Sequence, residues 1–275
     1  MNSREQTVAH CKEIARFIRK DVLYLTKEHK AGFIGSSFSC ADILATLYGE
    51  ILNIDPSEPT GSGSDVFILS KGHAASAWYA ALAESGLIEQ DRLTNEFNVT
   101  GFNMGVHPKR GSLPGIQTSS GSLGQGVGLA CGIALADKIQ GRTRRVYVLL
   151  GDGECNEGSV WESFMFAARY NLANLTIILD RNRLQSYAHD DKVLNMGDMT
   201  AKLRSFGLHA IETDGHDCGR LYDALNEAIQ CTLPCVIVAN TIKGKGVSLF
   251  EDKVLWHYKW PEQEHIETAR RELGI

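Results

Sequence analysis

Apolar positions recur along this chain with two different periods. Residues 5–29 carry them at helical spacing (Ile14, Phe17, Ile18, Val22, Leu25), and residues 41–52 do so again (Ile43, Leu44, Leu47, Ile51). Both segments therefore read as amphipathic helices. The polar stretch "DPSEPTGSGSD" at 55–65 reads as a loop, and "VFILS" at 66–70 as a short buried strand ending at Lys71-Gly72-His73. A helix follows over about 74–86. Three continuous apolar runs come later, "VYVLL" at 146–150, "LTIILD" at 175–180 and "CVIVANTI" at 235–242, separated by helical patterns at 159–170 and 219–231. Runs without polar alternation, spaced by helices, predict an α/β fold with a parallel sheet covered by helices on both faces. Ligands of such sheets sit beyond the carboxyl ends of the strands, where "GDGECNEG", "DRNRL" and "KGKG" all fall.

Two segments depart from simple periodicity. Residues 97–122 are irregular and rich in Gly, Pro, Ser and Thr, a long loop of the kind that is more often functional than accidental. The predicted helix over 123–139 contains Gly124, Gly126, Gly128 and Gly132, each costing roughly 1 kcal/mol against alanine. Such a composition implies a close approach to the helix backbone. No internal repeat, low-complexity segment or linker interrupts the chain, so residues 1–275 read as one domain with an N-terminal helical segment and a C-terminal extension.

Composition narrows the partners. The 275 residues are 43% hydrophobic, enough to bury a full core, and 28 basic against 33 acidic residues leave a formal charge of -5. No basic field favours nucleic acid. Seven cysteines form no CxxC pair and suit reduced thiols in the cytoplasm. The N-terminus carries charges throughout, and no apolar run approaches the roughly 18 residues that span a bilayer, so a soluble cytoplasmic protein is expected.

Asp152 falls at one strand end, and Asn182, thirty positions later, falls at the next. A carboxylate, an amide oxygen and a backbone carbonyl form a hard-oxygen set suited to Mg²⁺ or Ca²⁺, with the remaining positions left for phosphate oxygens. Gly151 and Gly153 allow close backbone approach to a diphosphate, and the following helix N-terminus adds donors. A tight turn with a solvated Asp is the alternative reading of "GDG" taken alone.

The "GDG" followed by about thirty residues and an Asn resembles the thiamine diphosphate signature, and the flanking text resembles transketolase, specifically the N-terminal half found as a separate subunit in split transketolases. The resemblance extends through "SCADILATLY" at 39–48, "LSKGHAASAWYAAL" at 69–82, "HPKRGSLPGIQTSSGSLGQGVG" at 107–128, "GDGECNEGSVWE" at 151–162 and "ANTIKGKGVS" at 239–248. It implies a transketolase-like fold that binds thiamine diphosphate with Mg²⁺, Ca²⁺ or Mn²⁺. It assigns Asp152, Asn182 and the Leu184 carbonyl to the metal, and Gly121, Ser122 and Leu123 to the cofactor's rings. His73 and His257 fall on the diphosphate side, with a helix-capping role as the alternative for His73. His107 falls at the substrate hydroxyls, and the three histidines are the candidate catalytic groups. Gly151, Gly153, Glu154 and Lys243 complete the cofactor contacts. Glu157 matches an interface carboxylate, with a solvated first-turn role as the alternative, and Lys245 reads equally as solvated.

One position departs from the family pattern. Where transketolases often read "SGHPGG", this chain reads "AGFIGSS", which places Phe33 at the histidine's position in the substrate channel. A phenyl ring neither donates a hydrogen bond nor transfers a proton. His29, His107 or the partner then remain as proton sources, and Phe33 as a plain core residue is the alternative. By resemblance, the glutamate that activates the cofactor belongs to a pyrimidine-binding domain that follows this one. It is expected on a C-terminal partner chain in an α2β2 assembly, without which this chain is inactive. The expected function is transfer of a two-carbon ketol unit from a ketose phosphate to an aldose. An acyloin-forming synthase of the deoxyxylulose phosphate type and a non-catalytic binding module are the alternatives. A dinucleotide-dependent dehydrogenase is disfavoured, since no G-x-G-x-x-G opens a helix after the first strand.

Overall fold

The computed structural model describes residues 3–275. Five strands, β1 (Val66–Leu69), β2 (Val146–Gly151), β3 (Leu175–Arg181), β4 (His209–Asp214) and β5 (Cys235–Asn240), form one parallel sheet in the order β1-β2-β3-β5-β4. The register sets Val66 beside Val146, Val146 beside Leu175 and Thr176 beside Cys235, so the strand ends align. The central strands are buried on both faces, as their unbroken apolar runs predict. Edge strand β4 was not expected, because its residues alternate between buried and partly exposed and offer no continuous run.

Helices cover both faces. On one lie α1 (Arg4–Glu28), α2 (Ile34–Ser39), α3 (Ala41–Thr46) and α4 (Ala75–Glu84), with the short α5 (Gln90–Glu96) beyond α4. On the other lie α6 (Gln125–Ile139) and α7 (Gly158–Arg169), followed by the short α8 (Asp190–Val193) and by α9 (Met199–Ser205). The connection α10 (Cys218–Gln230) returns to the α1 face, and α11 (Gln263–Leu273) packs on α1. Two apolar cores result. One joins α1, α4 and α10 to the sheet through Ile18, Trp78 and Leu225, and the other joins α6, α7 and α9 through Val127, Phe164 and Leu203.

The helix expected over 41–52 divides, with a π-helical turn at Leu47–Ile51 after α3. Further helices, α2, α5, α8, α9 and the longer α11, carried no sequence expectation. Short α2, α5 and α9 each hold fewer than three turns, too few for a period to register. The α6 glycines fall into two groups. A Cβ on Gly126 would lie 2.4 Å from the Ser70 hydroxyl, and Gly124 is the left-handed N-cap at φ 81°. Gly128 and Gly132 instead turn outward and are exposed. The close approach inferred from composition is therefore made within the chain at Gly126, while the outward pair leaves a shallow face beside the exposed Leu129 and Phe166.

Candidate active site

Beneath the strand ends lies a buried ion pair. The Lys71 ammonium, just past β1, meets the Asp180 carboxylate near the end of β3, and both side chains are almost fully enclosed. Lys71 also donates to the Ser36 carbonyl at 3.0 Å, and Asp180 accepts from Ser39 at 2.5 Å and from Thr241. Burial alone would raise the Asp180 carboxyl, but Lys71 and the two hydroxyls outweigh it and hold it below its usual range. This pair locks β1, β3, β5 and α2 together under the site. Sequence reasoning missed it, although a Lys and an Asp at the ends of two apolar runs were its signal.

Above the pair opens a cavity of about 330 Å³ that includes Asp152, Asn182 and Leu184 on one side and His73, His107 and His257 on the other. Asp152 follows β2. Its carboxylate accepts from the Gly153 amide at 2.8 Å and from the Arg183 amide, which orient both oxygens. Burial first, and then the neighbouring Asp180 charge, push this carboxyl up to about 6. Arg183 reaches its position in a left-handed conformation at φ 59°. The Asn182 side-chain oxygen accepts from Leu184 N at 3.1 Å, and its amide nitrogen lies 3.4 Å from Ser39.

Lys243 extends into the same cavity. Its ammonium donates to the Leu184 carbonyl at 2.9 Å and the Gln185 carbonyl at 3.1 Å, and lies 2.8 Å from His257 Nδ1. Burial and the Lys71 charge draw it down to about 8. His257 is drawn down to about 3 by burial and by Lys243, and His73 goes well below its usual value by burial and the Lys71 charge. Burial also lowers the half-buried His107. All three imidazoles are neutral at neutral pH, able to accept on one nitrogen and donate on the other.

Phe33 stands among these rings. Its centroid lies 5.5 Å from His73, 5.8 Å from His107, 5.5 Å from His257 and 6.2 Å from Tyr258. Its backbone is left-handed at φ 71°, unusual for a bulky residue, and its N–H donates to the His257 carbonyl at 2.9 Å. Phe33 is thus no plain core residue, and it joins the start of α2 to the 254–258 segment. Tyr258, for which the sequence offered no signal, lines the same mouth.

The other expected residues divide between the cavity wall and positions outside it. Gly121 and Leu123 line the cavity, and a Cβ on Gly121 would come within 3.3 Å of the His107 ring, whereas Ser122 is exposed and does not line it. The Glu154 carboxylate is engaged from below, accepting from Ser70, from Gly124 N at 2.8 Å and from Gly151 N at 3.2 Å, so it fixes the loops around the cavity. Exposed Glu157 precedes α7 and packs on Gly124 at the start of α6. His29 is corrected as a proton source: its Nε2 lies 3.1 Å from the Thr94 carbonyl and its ring packs on Phe97, away from the cavity. Lys245 lies outside the cavity, 3.4 Å from Glu251.

The residues present fit a metal-bound diphosphate. Asp152, Asn182 and Leu184 offer three kinds of hard oxygen at one cavity wall, and neutral imidazoles with a cationic Lys243 face them. No group of three or more His, Cys, Asp or Glu among the described residues could hold a metal by itself. Ligand oxygens would have to complete the coordination, as a diphosphate does.

Residues 10–275 match the family described as "Transketolase, thiamine diphosphate binding domain". One subunit of the apulose-4-phosphate transketolase of Actinobacillus succinogenes is 36% identical over 274 residues, covering 99% of both chains. Human transketolase is 37% identical over 93% of this chain, which spans 40% of its length. The solved transketolase of Leishmania mexicana superposes with a TM-score of 0.91 at 27% identity, covering 96% of this chain and 41% of that one. Fold and cavity define a thiamine diphosphate-binding α/β half, spanning about two-fifths of the single-chain enzymes it matches. The chain belongs to the transketolase family, in which it corresponds to the N-terminal subunit of a split enzyme.

Proposed function

We propose that this chain holds the diphosphate and a divalent cation, Mg²⁺ first among them, at the carboxyl end of its sheet. Together with a C-terminal transketolase subunit it would transfer a two-carbon ketol unit from a ketose phosphate to an aldose. The observation that carries this reading is the convergence of Asp152, Asn182, Leu184, Lys243 and three neutral histidines on one cavity. When bound, thiamine diphosphate supplies the carbanion chemistry. The chain's own residues bind and orient. Asp152, Asn182 and the Leu184 carbonyl would hold the cation, and the Lys243 ammonium, beside the Leu184 carbonyl, would offset the diphosphate charge. His73 and His257 would donate to it from their side of the cavity. His107, the least buried of the three, is placed to exchange protons with substrate hydroxyls.

Glu157 and the outward α6 face, with Gly128, Gly132 and Leu129, form the surface on which the chains assemble, and an α2β2 complex would bring the activating glutamate from the partner. Seven unpaired thiols, six of them buried, fit a reducing cytoplasm. Two relatives are named for apulose 4-phosphate and 6-deoxy-6-sulfo-D-fructose, which supports an anionic ketose as the donor class here. Mixing the chain with a candidate C-terminal partner and assaying xylulose 5-phosphate, apulose 4-phosphate and sulfofructose against an aldose panel tests the reading. Ketol transfer only in the mixture supports it, and transfer by neither chain nor mixture counts against it. Phe33→His should alter the acceptor ranking, and an unchanged ranking and rate would remove Phe33 from the channel.

A further inference from the structure

The first lysine of "KGKG", Lys243, enters the cofactor cavity, while Lys245 two positions later lies outside it. The turn between them is closed by Lys245 N donating to the Ile242 carbonyl at 3.2 Å. It is a tight turn: Gly244 sits at φ 83°, where a Cβ would collide with the Phe250 carbonyl. The side chain of Lys243 inherits every shift of this backbone, so its reach into the cavity depends on what fixes residues 242–245.

Backbone partners hold the middle of the turn. Gly244 N donates to the Gly35 carbonyl at 2.9 Å, and the Lys243 carbonyl accepts from Asp252 N at 2.8 Å. Side chains hold its two ends: Ile242 N donates to His216 Nε2 at 2.7 Å, and the Lys245 carbonyl accepts from Arg19 Nε at 2.9 Å. Both of these side chains are anchored on one carboxylate of α3, Asp42. His216 Nδ1 lies 2.8 Å from its Oδ2, and the Arg19 guanidinium donates to Oδ1 at 3.1 Å and to Oδ2 at 2.5 Å. Side-chain exposure is 8% for Arg19, 9% for Asp42 and 12% for His216, so water does not readily replace these bonds. The geometry also fixes the histidine's tautomer. A ring nitrogen that accepts from a backbone N–H carries no proton, so Nδ1 carries it and donates to Asp42. None of the three residues lines the cavity, and no other residue of α3 does.

We propose that Asp42, His216 and Arg19 form a positioning unit that grips both ends of the 242–245 turn and keeps Lys243 directed into the cofactor cavity. His216 sets the Ile242 end. The proposal rests on the cofactor reading above and adds to it residues that touch neither cofactor nor substrate.

Two substitutions at His216 separate positioning from general support. Glutamine brings an amide oxygen near the Nε2 position and accepts from the Ile242 N–H, whereas asparagine, one carbon shorter, extends only as far as Nδ1. The chain mixed with its C-terminal partner is measured twice, by amide hydrogen exchange before thiamine diphosphate is added and by calorimetric titration with thiamine diphosphate and Mg²⁺. In His216→Asn, exchange within residues 241–246 should rise about tenfold or more with the five strands unchanged, and cofactor affinity should fall about tenfold. His216→Gln should return both to within about threefold of wild type. Unchanged affinity in His216→Asn where wild type binds, equal losses in the Asn and Gln variants, or exchange raised across the whole sheet would overturn the proposal and leave the cofactor reading standing. Failure of wild type to bind, with exchange at 241–246 still raised in His216→Asn, would remove the cofactor reading and the positioning role with it.

Discussion

The two ends of this one sheet treat buried charge differently. At the amino end, the Arg145 guanidinium is capped by the carbonyls of Ala173, Ala228 and Ile229, Asp65 accepts from the Arg145 and Asn53 amides, and Asp137 holds Arg142 and Arg144. These groups tie strand starts to the preceding loops. At the carboxyl end, Lys71 and Asp180 neutralise each other underneath, but Asp152, Lys243, His73 and His257 are buried around a cavity with their protonation pushed away from ordinary values. Charge at the amino end, from exposed Arg142 to enclosed Asp137, therefore serves stability, while the enclosed groups at the carboxyl end serve chemistry. What separates them is whether the chain itself supplies every counter-charge.

Substitutions at the two ends sharpen this contrast. The largest effect is expected for Lys71→Met, which leaves Asp180 enclosed without its cation. Denaturant unfolding should show a loss of about 3–5 kcal/mol, and a loss below about 1 kcal/mol would mean that the pair does not lock the sheet end. Next, Asp152→Asn should weaken metal-dependent thiamine diphosphate binding by about a hundredfold or more. Its unfolding midpoint should hold or rise, since a buried and raised carboxyl is replaced by a neutral group. At the opposite end, Asp137→Asn should lower stability by about 1–3 kcal/mol through the loss of Arg144's partner, with cofactor affinity unchanged. An altered affinity there would break the contrast.

The smallest effect concerns acid. Burial would raise the Asp42 carboxyl, but Arg19 and His216 hold it down at about 2. A depressed carboxyl stabilises the fold fully above the unfolded value and loses that contribution as pH falls toward the folded one. Wild type should thus lose more stability than Asp42→Asn between about pH 4 and pH 2, as unfolding midpoints measured over that window would show.

Much of this arrangement could be read from the sequence. Uninterrupted apolar runs marked four of the five strands, because double burial leaves no polar alternation, and the polar clusters after them marked the crevice. The same logic hid β4, whose edge position lets Glu212 and Asp214 face water. Within the site, Asp152 and Asn182 follow from their spacing at strand ends, and His73, His107 and His257 were expected from the family resemblance alone. The Lys71 pairing with Asp180, the placement of Tyr258 and the orientation of His29 follow from neither. They depend on which segments distant in sequence the fold brings together, α2 with β1 and β3 for the ion pair and the end of α1 with α5 for His29, and no local period encodes that. Phe33 stands between these cases, since its identity was a visible departure while its left-handed backbone and its three imidazole neighbours emerge only in the fold.

The central claim is that the carboxyl-end cavity holds the cofactor through Asp152. Calorimetric titration of thiamine diphosphate into the chain mixed with its C-terminal partner, with and without Mg²⁺, and repeated with Asp152→Asn, tests it most directly. Saturable binding that requires the metal and disappears in the variant is the predicted result. Equal binding by wild type and Asp152→Asn, or no binding by either, would contradict it.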